Sequence, residues 1–320
     1  MKMKKIFKKH AAEFSVLALT IVLLAFFAII NPRVFLKANI YKAVFTVLPI
    51  QMFLAVSLTF VIVSGEADMS FPSTIGVCLW MFTLAASASG SPVVGAVAAI
   101  AAGALVGLIN GILVARLQLS SLVVTLGMNF LLRGLINIGT NGEGTSLLFL
   151  KDTAFAKIFA GKIGSFPVQM IWGLVFVVVC QLLFTRHRFG LHVCFSGDNA
   201  TSARETGVNI RRVRIQAYVL VGVSCAFAGI LSGLVNNTFW PTTGDGYLLN
   251  TMAAVYIGGT PTWGGIGTII GSALGAFIMS FLETGIIACG LTGFYTKFFF
   301  GLIIILALIS HKFSGVKRKS

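Results

Sequence analysis

Six stretches of the chain contain no Asp, Glu, Lys or Arg: residues 43–65, 69–115, 117–132, 163–185, 215–244 and 246–282. One helical crossing of a bilayer needs roughly 20 apolar residues, so runs of this kind commit the chain to lipid. Nothing else in the composition resists that reading: 57% of residues are hydrophobic and 10% charged, and the mean hydropathy is +0.95. Nine acidic residues among 320 are too few to solvate a globule of this size. The run 69–115 is far too long for one span and contains Ser89-Gly90-Ser91-Pro92, a turn sequence that divides it into two helices. With an apolar run at 14–30 and further runs after Glu283, an all-α polytopic protein of about ten spans is expected, organised as a single transmembrane domain over 1–320. The lysine-rich start, residues 1–10, resembles a signal-peptide head. Its apolar run is followed by Asn31-Pro32-Arg33 without a small-residue cleavage site, so a retained first helix is expected.

Lys and Arg asymmetry sets the orientation. Residues 1–10 hold five basic residues, the polar segment 186–214 holds six arginines and the tail from Lys312 holds four, together 15 of 24. These segments belong on the cytoplasmic side, and six spans before the segment with four after it return both ends there. The net charge of +15 is thereby a topology signal. With no basic face interleaved with exposed aromatics, it does not indicate a nucleic-acid partner.

Five cysteines stand singly, without a CxxC pair, and the four histidines lack HExxH spacing, so neither a disulfide framework nor a metal site is expected. The chain has no G-x-x-x-x-G-K-S/T phosphate loop and no G-x-S-x-G elbow. Energy for any transport must come from an ion gradient or from a partner.

Glycines recur at four-residue spacing at 103, 107 and 111, at 229 and 233, and at 267, 271 and 275. Such rows let helices approach closely in lipid; they argue for a tight bundle and are compatible with a dimer. Two other clusters interrupt spans. One runs Ser64-Gly65-Glu66-Ala67-Asp68-Met69-Ser70-Phe71-Pro72-Ser73, the other Gly258-Gly259-Thr260-Pro261-Thr262-Trp263-Gly264-Gly265-Ile266-Gly267. Non-helical backbone at membrane depth is tolerated where protein or a water-filled cavity covers it, and paired breaks mark a translocation path in transporters; the alternative is a pair of interfacial loops. Gly65, Glu66, Asp68, Ser70, Gly258, Gly259, Gly264, Gly265 and Gly267 are the path candidates. Asn129 and Arg133 join them, because an ionisable residue inside an apolar helix is a functional candidate. Glu66, Asp68 and Glu283 are the possible partners for Arg133.

Within 186–214, Asp198 suits a helix N-cap, 199–206 forms about two turns and Gly207 suits the left-handed C-terminal position. Ala200, Thr201, Ser202 and Ala203 are small and leave no apolar stripe to bury in the chain itself. A short helix of this kind fits a groove on a partner.

The chain resembles the membrane permease of bacterial ABC importers of the ribose, xylose and galactoside type, within the wider ribose and branched-chain amino acid permease family. Residues 64–73 resemble the family's S-G-G-I-D-L-S-x-G-S element. Asn110-Gly111-Ile112-Leu113-Val114-Ala115 with 123–134 is similar to its N-G-x-L-V-A, V-T-L-G and L-R-G run. Arg188-Phe189-Gly190 with 197–209 resembles R-F-G followed by G-x-N-x-x-A-A-x-x-S-G-I-N, and 258–271 resembles G-G-T-x-x-x-G-G-x-G-T-x-x-G. Glu66-Ala67, Phe71-Pro72 and Glu205-Thr206 depart from the family pattern.

The resemblance implies a ten-helix subunit of the bacterial cytoplasmic membrane, paired with an identical or different second permease subunit. It implies an ATP-hydrolysing partner that holds ATP and magnesium, an extracytoplasmic sugar-binding protein, and no cofactor on this chain. It makes the 198–207 helix the element that couples to the ATPase, with Gly197, Asp198, Asn199, Ala203, Arg204, Glu205 and Gly207 as its site, and a monosaccharide or small polyol as the cargo. An ion-coupled secondary transporter is the rival reading, kept open by Glu66, Asp68 and Glu283.

Overall fold

The computed structural model describes residues 11–291 and 293–313; the basic ends, 1–10 and 314–320, lie outside the described residues. The chain is predominantly helical. In order, the helices are α1 Ala11–Ile30, α2 Pro32–Phe35, α3 Ala38–Val63, α4 Phe71–Ser89, α5 Pro92–Ala115, α6 Ser121–Thr140, α7 Ala154–Ala160, α8 Gln169–Arg186, α9 Arg188–Asp198, α10 Ala200–Glu205, α11 Ile210–Asn236, α12 Tyr247–Ile257, α13 Ile269–Ala288 and α14 Gly293–Phe313. Seven of these, α3, α4, α5, α6, α8, α11 and α13, are long and apolar enough to cross a membrane. Apolar segments of α1, α12 and α14 are shorter.

The long run 69–115 divides where expected: α4 ends at Ser89, Gly90 takes φ +66, and Pro92 opens α5 in the first turn, where its missing N–H costs nothing. Elsewhere charge-free runs and helices part company. α6 continues past Arg133, and α11 begins at Ile210 and takes in three arginines. α8 starts only at Gln169, because 162–167 turns back on itself as a two-stranded pairing of Lys162 with Pro167 and Ile163 with Phe166. Asn141 and Asn237 end α6 and α11 in the left-handed conformation, which asparagine tolerates. Their following segments pair, Thr145 with Phe239 and Ser146 with Thr238.

α3 is the axis of the bundle, buried without a break from Leu48 to Val63, whereas α6 buries only Thr125, Leu132 and Ile136 and α8 only Gln169, Met170, Gly173 and Cys180. The glycine rows are used inside the chain. A methyl at Gly103 would strike the Gly222 carbonyl and one at Gly222 would strike that of Gly103, so α5 and α11 meet backbone to backbone. On α13, Gly271 and Gly275 close in the same way on the carbonyls of Gly258 and Ala254 at α12. In lipid, where apolar burial gives helices no preference for each other, such close approach supplies the association.

Candidate functional site

The two interrupted segments meet each other, and both meet the polar loop. The Gly265 amide donates to the Val63 carbonyl over 2.8 Å. A methyl built on Gly264 would lie 2.9 Å from Gly65 Cα, and one on Gly265 would lie 2.9 Å from Asp198 Cα. One on Gly197 would land on the Val63 carbonyl oxygen and 2.5 Å from the Gly265 nitrogen. Backbones 63–65, 197–198 and 264–265 thus form a joint with no room for a side chain. Gly258, Gly259 and Gly267 stand beside it: Gly258 packs on the start of α13, Gly259 turns at φ +89, and a methyl on Gly267 would strike Val63. An ion pair reinforces the joint, with Glu66 Oε1 2.5 Å from Arg214 Nη1 and side-chain exposures of 12% and 22%.

Beyond Glu66 the segment is tied down by polar contacts to three helices. Asp68 is buried and accepts from the Ser70 backbone N–H at 2.7 Å and its hydroxyl at 2.6 Å, while Ser70 Oγ accepts from Asn110 Nδ2 at 2.8 Å. Asn129 Oδ1 accepts from Ser73 Oγ at 2.7 Å, and the Met69 amide donates to Thr125 Oγ1 at 2.9 Å. Tyr218 of α11 donates its hydroxyl to the Ala67 carbonyl at 2.7 Å.

The loop differs from expectation in two details. Asp198 closes α9, and the cap of α10 is Asn199, whose Oδ1 accepts from the Thr201 and Ser202 amides at 3.1 Å each. Asn199 is the residue in extended backbone just before the helix, which is the geometry a cap requires. Ala203, expected on a free face, is buried at 5% exposure against its own chain. Gly207 is left-handed as expected. Asp198, Asn199, Ser202, Arg204 and Glu205 are exposed, and α10 borders a shallow hollow of about 150 Å³ with Phe195 and Asp198. In the same loop, burial, assisted by Asp198, pushes the Cys194 thiol up to about 11.

Arg133, inside α6, reaches the turn that follows α11. Its guanidinium reaches Asp245 Oδ1 at 2.6 Å and the carbonyls of Pro241 and Thr243, and pairs with none of the three carboxylates expected for it. The reason is tertiary: the turn 237–246 after α11 folds back onto the first turns of α4, where Gly244 abuts the Pro72 carbonyl, and brings Asp245 to Arg133, while Glu66 is taken by Arg214 and Asp68 by Ser70. Asp245 also borders a cavity of about 350 Å³ whose polar walls are Gln51, Asn250, Glu283 and Thr284. Sequence reasoning missed Arg214, Asp245 and this cavity. The amides escaped because a search for charges does not register them. The available signal was Gln51 and Asn250 inside charge-free runs, with Glu283 closing one.

Comparison with known proteins decides the family. Residues 40–308 match the family described as "Branched-chain amino acid transport system / permease component". The chain belongs to this permease family. The permease is 31% identical over 294 residues to the ribose import permease protein RbsC of Escherichia coli K12, covering 90% of each chain. It is 29% identical over 267 residues to the L-arabinose ABC transporter permease protein AraH of Azospirillum brasilense, covering 83% of this chain and 78% of that one. It is also 31% identical over 279 residues to the autoinducer 2 import system permease protein LsrC of Salmonella typhimurium, covering 86% and 78%. No solved structure matches the permease significantly.

Proposed function

We propose that the permease is the membrane subunit of an ATP-driven importer for a monosaccharide or related small polyol. The observation that carries this is the similarity, over nine-tenths of both chains, to a ribose import permease. The family description speaks of branched-chain amino acids, but all three relatives above carry other cargo names, two of them sugars. In this reading ATP hydrolysis resides on a partner subunit, an extracytoplasmic binding protein delivers the solute, and a second permease subunit completes the pathway in the cytoplasmic membrane. α1, α12 and α14 join the seven longer helices as spans, and both ends face the cytoplasm with the loop.

α10 is the coupling element. Its exposed residues, Asn199, Arg204 and Glu205 foremost, meet the ATPase, while buried Ala203 anchors the helix to α11. Displacement of α10 is transmitted through Gly197 and Asp198 to the backbones at 63–65 and 264–265, so the two breaks form the cytoplasmic end of the path. Gradient coupling would require carboxylates free to take up a proton or ion. Glu66 is held by Arg214 and Asp68 by Ser70, which leaves that reading with Glu283 alone of its three expected groups.

Cross-linking tests the coupling assignment. With the two partly exposed cysteines, Cys194 and Cys289, replaced by alanine, Arg204→Cys offers a selectively labelled position on α10. A photoactivatable label there is expected to join the permease to its ATPase in membranes. A label that captures lipid alone, with the ATPase still copurifying, removes α10 from that interface.

A further inference from the structure

The cavity between α3, α12 and α13 brings several polar side chains together in the apolar bundle, and the coupling reading makes no use of it. Gln51 stands 13 residues before Ser64 and Glu283 stands 14 after Ile269, which places both about 20 Å along their helices from the joint. With Gln51 midway along α3 and Glu283 near the last turn of α13, the cavity lies in the part of the bundle remote from α10. Its volume of about 350 Å³ lies at the lower end of the range for small-molecule sites.

The polar groups around it are incompletely partnered. Glu283 accepts one long bond, 3.3 Å, from Asn250 Nδ2, and no cation pairs with it among the described residues. Asn250 is buried and its Oδ1 has no partner. Gln51 is also buried; its Oε1 accepts from Ser280 Oγ at 3.0 Å, which leaves its amide N–H groups for another acceptor. Asp245 at the rim is neutralised by Arg133. A carboxylate inside an apolar bundle is costly unless it serves a purpose, and a buried amide oxygen without a partner carries its own desolvation cost.

We propose that Gln51, Asn250 and Glu283 form a transient binding site for a neutral polyhydroxylated solute, on the side from which the solute arrives. The site offers acceptors on Glu283 and Asn250 and a donor on Gln51. A hydroxyl both donates and accepts, so neighbouring hydroxyls on one solute satisfy both kinds of group. A metal cation or an amine satisfies only the acceptors and leaves the Gln51 N–H groups unmet. The proposal rests on the import reading and adds to it a place where the membrane subunit itself touches the cargo.

The test uses the complete importer, with its ATPase and binding protein, in vesicles. Uptake is measured for labelled ribose and L-arabinose and for a panel of neutral polyols, alongside stimulation of ATP hydrolysis by the binding protein. Asn250→Ala and Glu283→Gln are expected to lower uptake by about tenfold, the effect of removing a hydrogen bond to a charged or buried partner. Stimulated hydrolysis should persist, and the ratio between solutes should change, which a purely structural role would not do. Unchanged uptake in both variants overturns the proposal. Loss of stimulated hydrolysis together with uptake overturns it by assigning the groups a structural role, and a dependence on sodium that Glu283→Gln abolishes overturns it by marking a cation site. If the unaltered complex moves no member of the panel, the import reading fails, and that result is seen before any variant is compared.

Discussion

Replacing Gly265 by alanine tests whether the loop and the two breaks move as one piece. Gly265 has φ +80, and an added methyl would lie 2.9 Å from Asp198 Cα and 3.0 Å from its Cβ and nitrogen. The left-handed conformation costs an L-residue roughly 1–2 kcal/mol. Crowding against backbone that cannot rotate away adds about 1–3 kcal/mol. The sum, about 2–5 kcal/mol, weakens closure of the joint by roughly 30-fold to a few thousandfold, at tenfold per 1.4 kcal/mol. Gly90 is the matched control: it has φ +66, and its added methyl meets nothing within 4 Å, so only the backbone strain remains. Amide hydrogen exchange reports the difference directly, because the Gly265 N–H is itself the donor to Val63. Exchange at 265 and across 197–208 is expected to rise at least about tenfold in Gly265→Ala and to stay near wild type in Gly90→Ala, with transport falling only in the former. Wild-type protection in Gly265→Ala would show that the three backbones are not a closed joint.

Two further perturbations probe the two ion pairs. The Glu66 and Arg214 pair is mostly shielded from water, so a cycle of Glu66→Gln, Arg214→Gln and the double variant should give a coupling energy of about 1–3 kcal/mol in thermal unfolding; additive effects would mean that the pair contributes nothing. Asp245 is 59% exposed, so Asp245→Asn should cost under about 1 kcal/mol, whereas Arg133→Leu also loses the bonds to Pro241 and Thr243 and should cost about 1.5–3 kcal/mol more. Equal effects would contradict that division.

Much of the architecture was legible because lipid imposes simple rules. The turn at residues 89–92, the break at 258–268 and the left-handed Gly207 all follow from residue types that admit few conformations. The loop was recognised as polar and helical, but its cap was misplaced by one residue because Asp198 and Asn199 are both good caps, and packing of α9 chose between them. The partner of Arg133 was out of reach, since pairing depends on how the turn 237–246 folds back over other helices. The meeting of Gly65, Gly197 and Gly264 is also tertiary: each glycine reads locally as a turn or break, and only the assembled backbone shows that they make room for one another. The cavity stayed hidden because amides do not disturb a hydrophobic run as charges do.

The source of energy is the most direct test of the central claim that this chain is a permease driven by a partner through α10. Labelled ribose and L-arabinose uptake should be followed in vesicles containing the permease, its ATPase and its binding protein, with ATP inside or outside and with ionophores that collapse ion gradients. The account predicts uptake that requires ATP on the side of α10 and the binding protein on the other, and that survives the ionophores. Uptake by the permease alone, indifferent to ATP and abolished by collapsing the gradient, would contradict it.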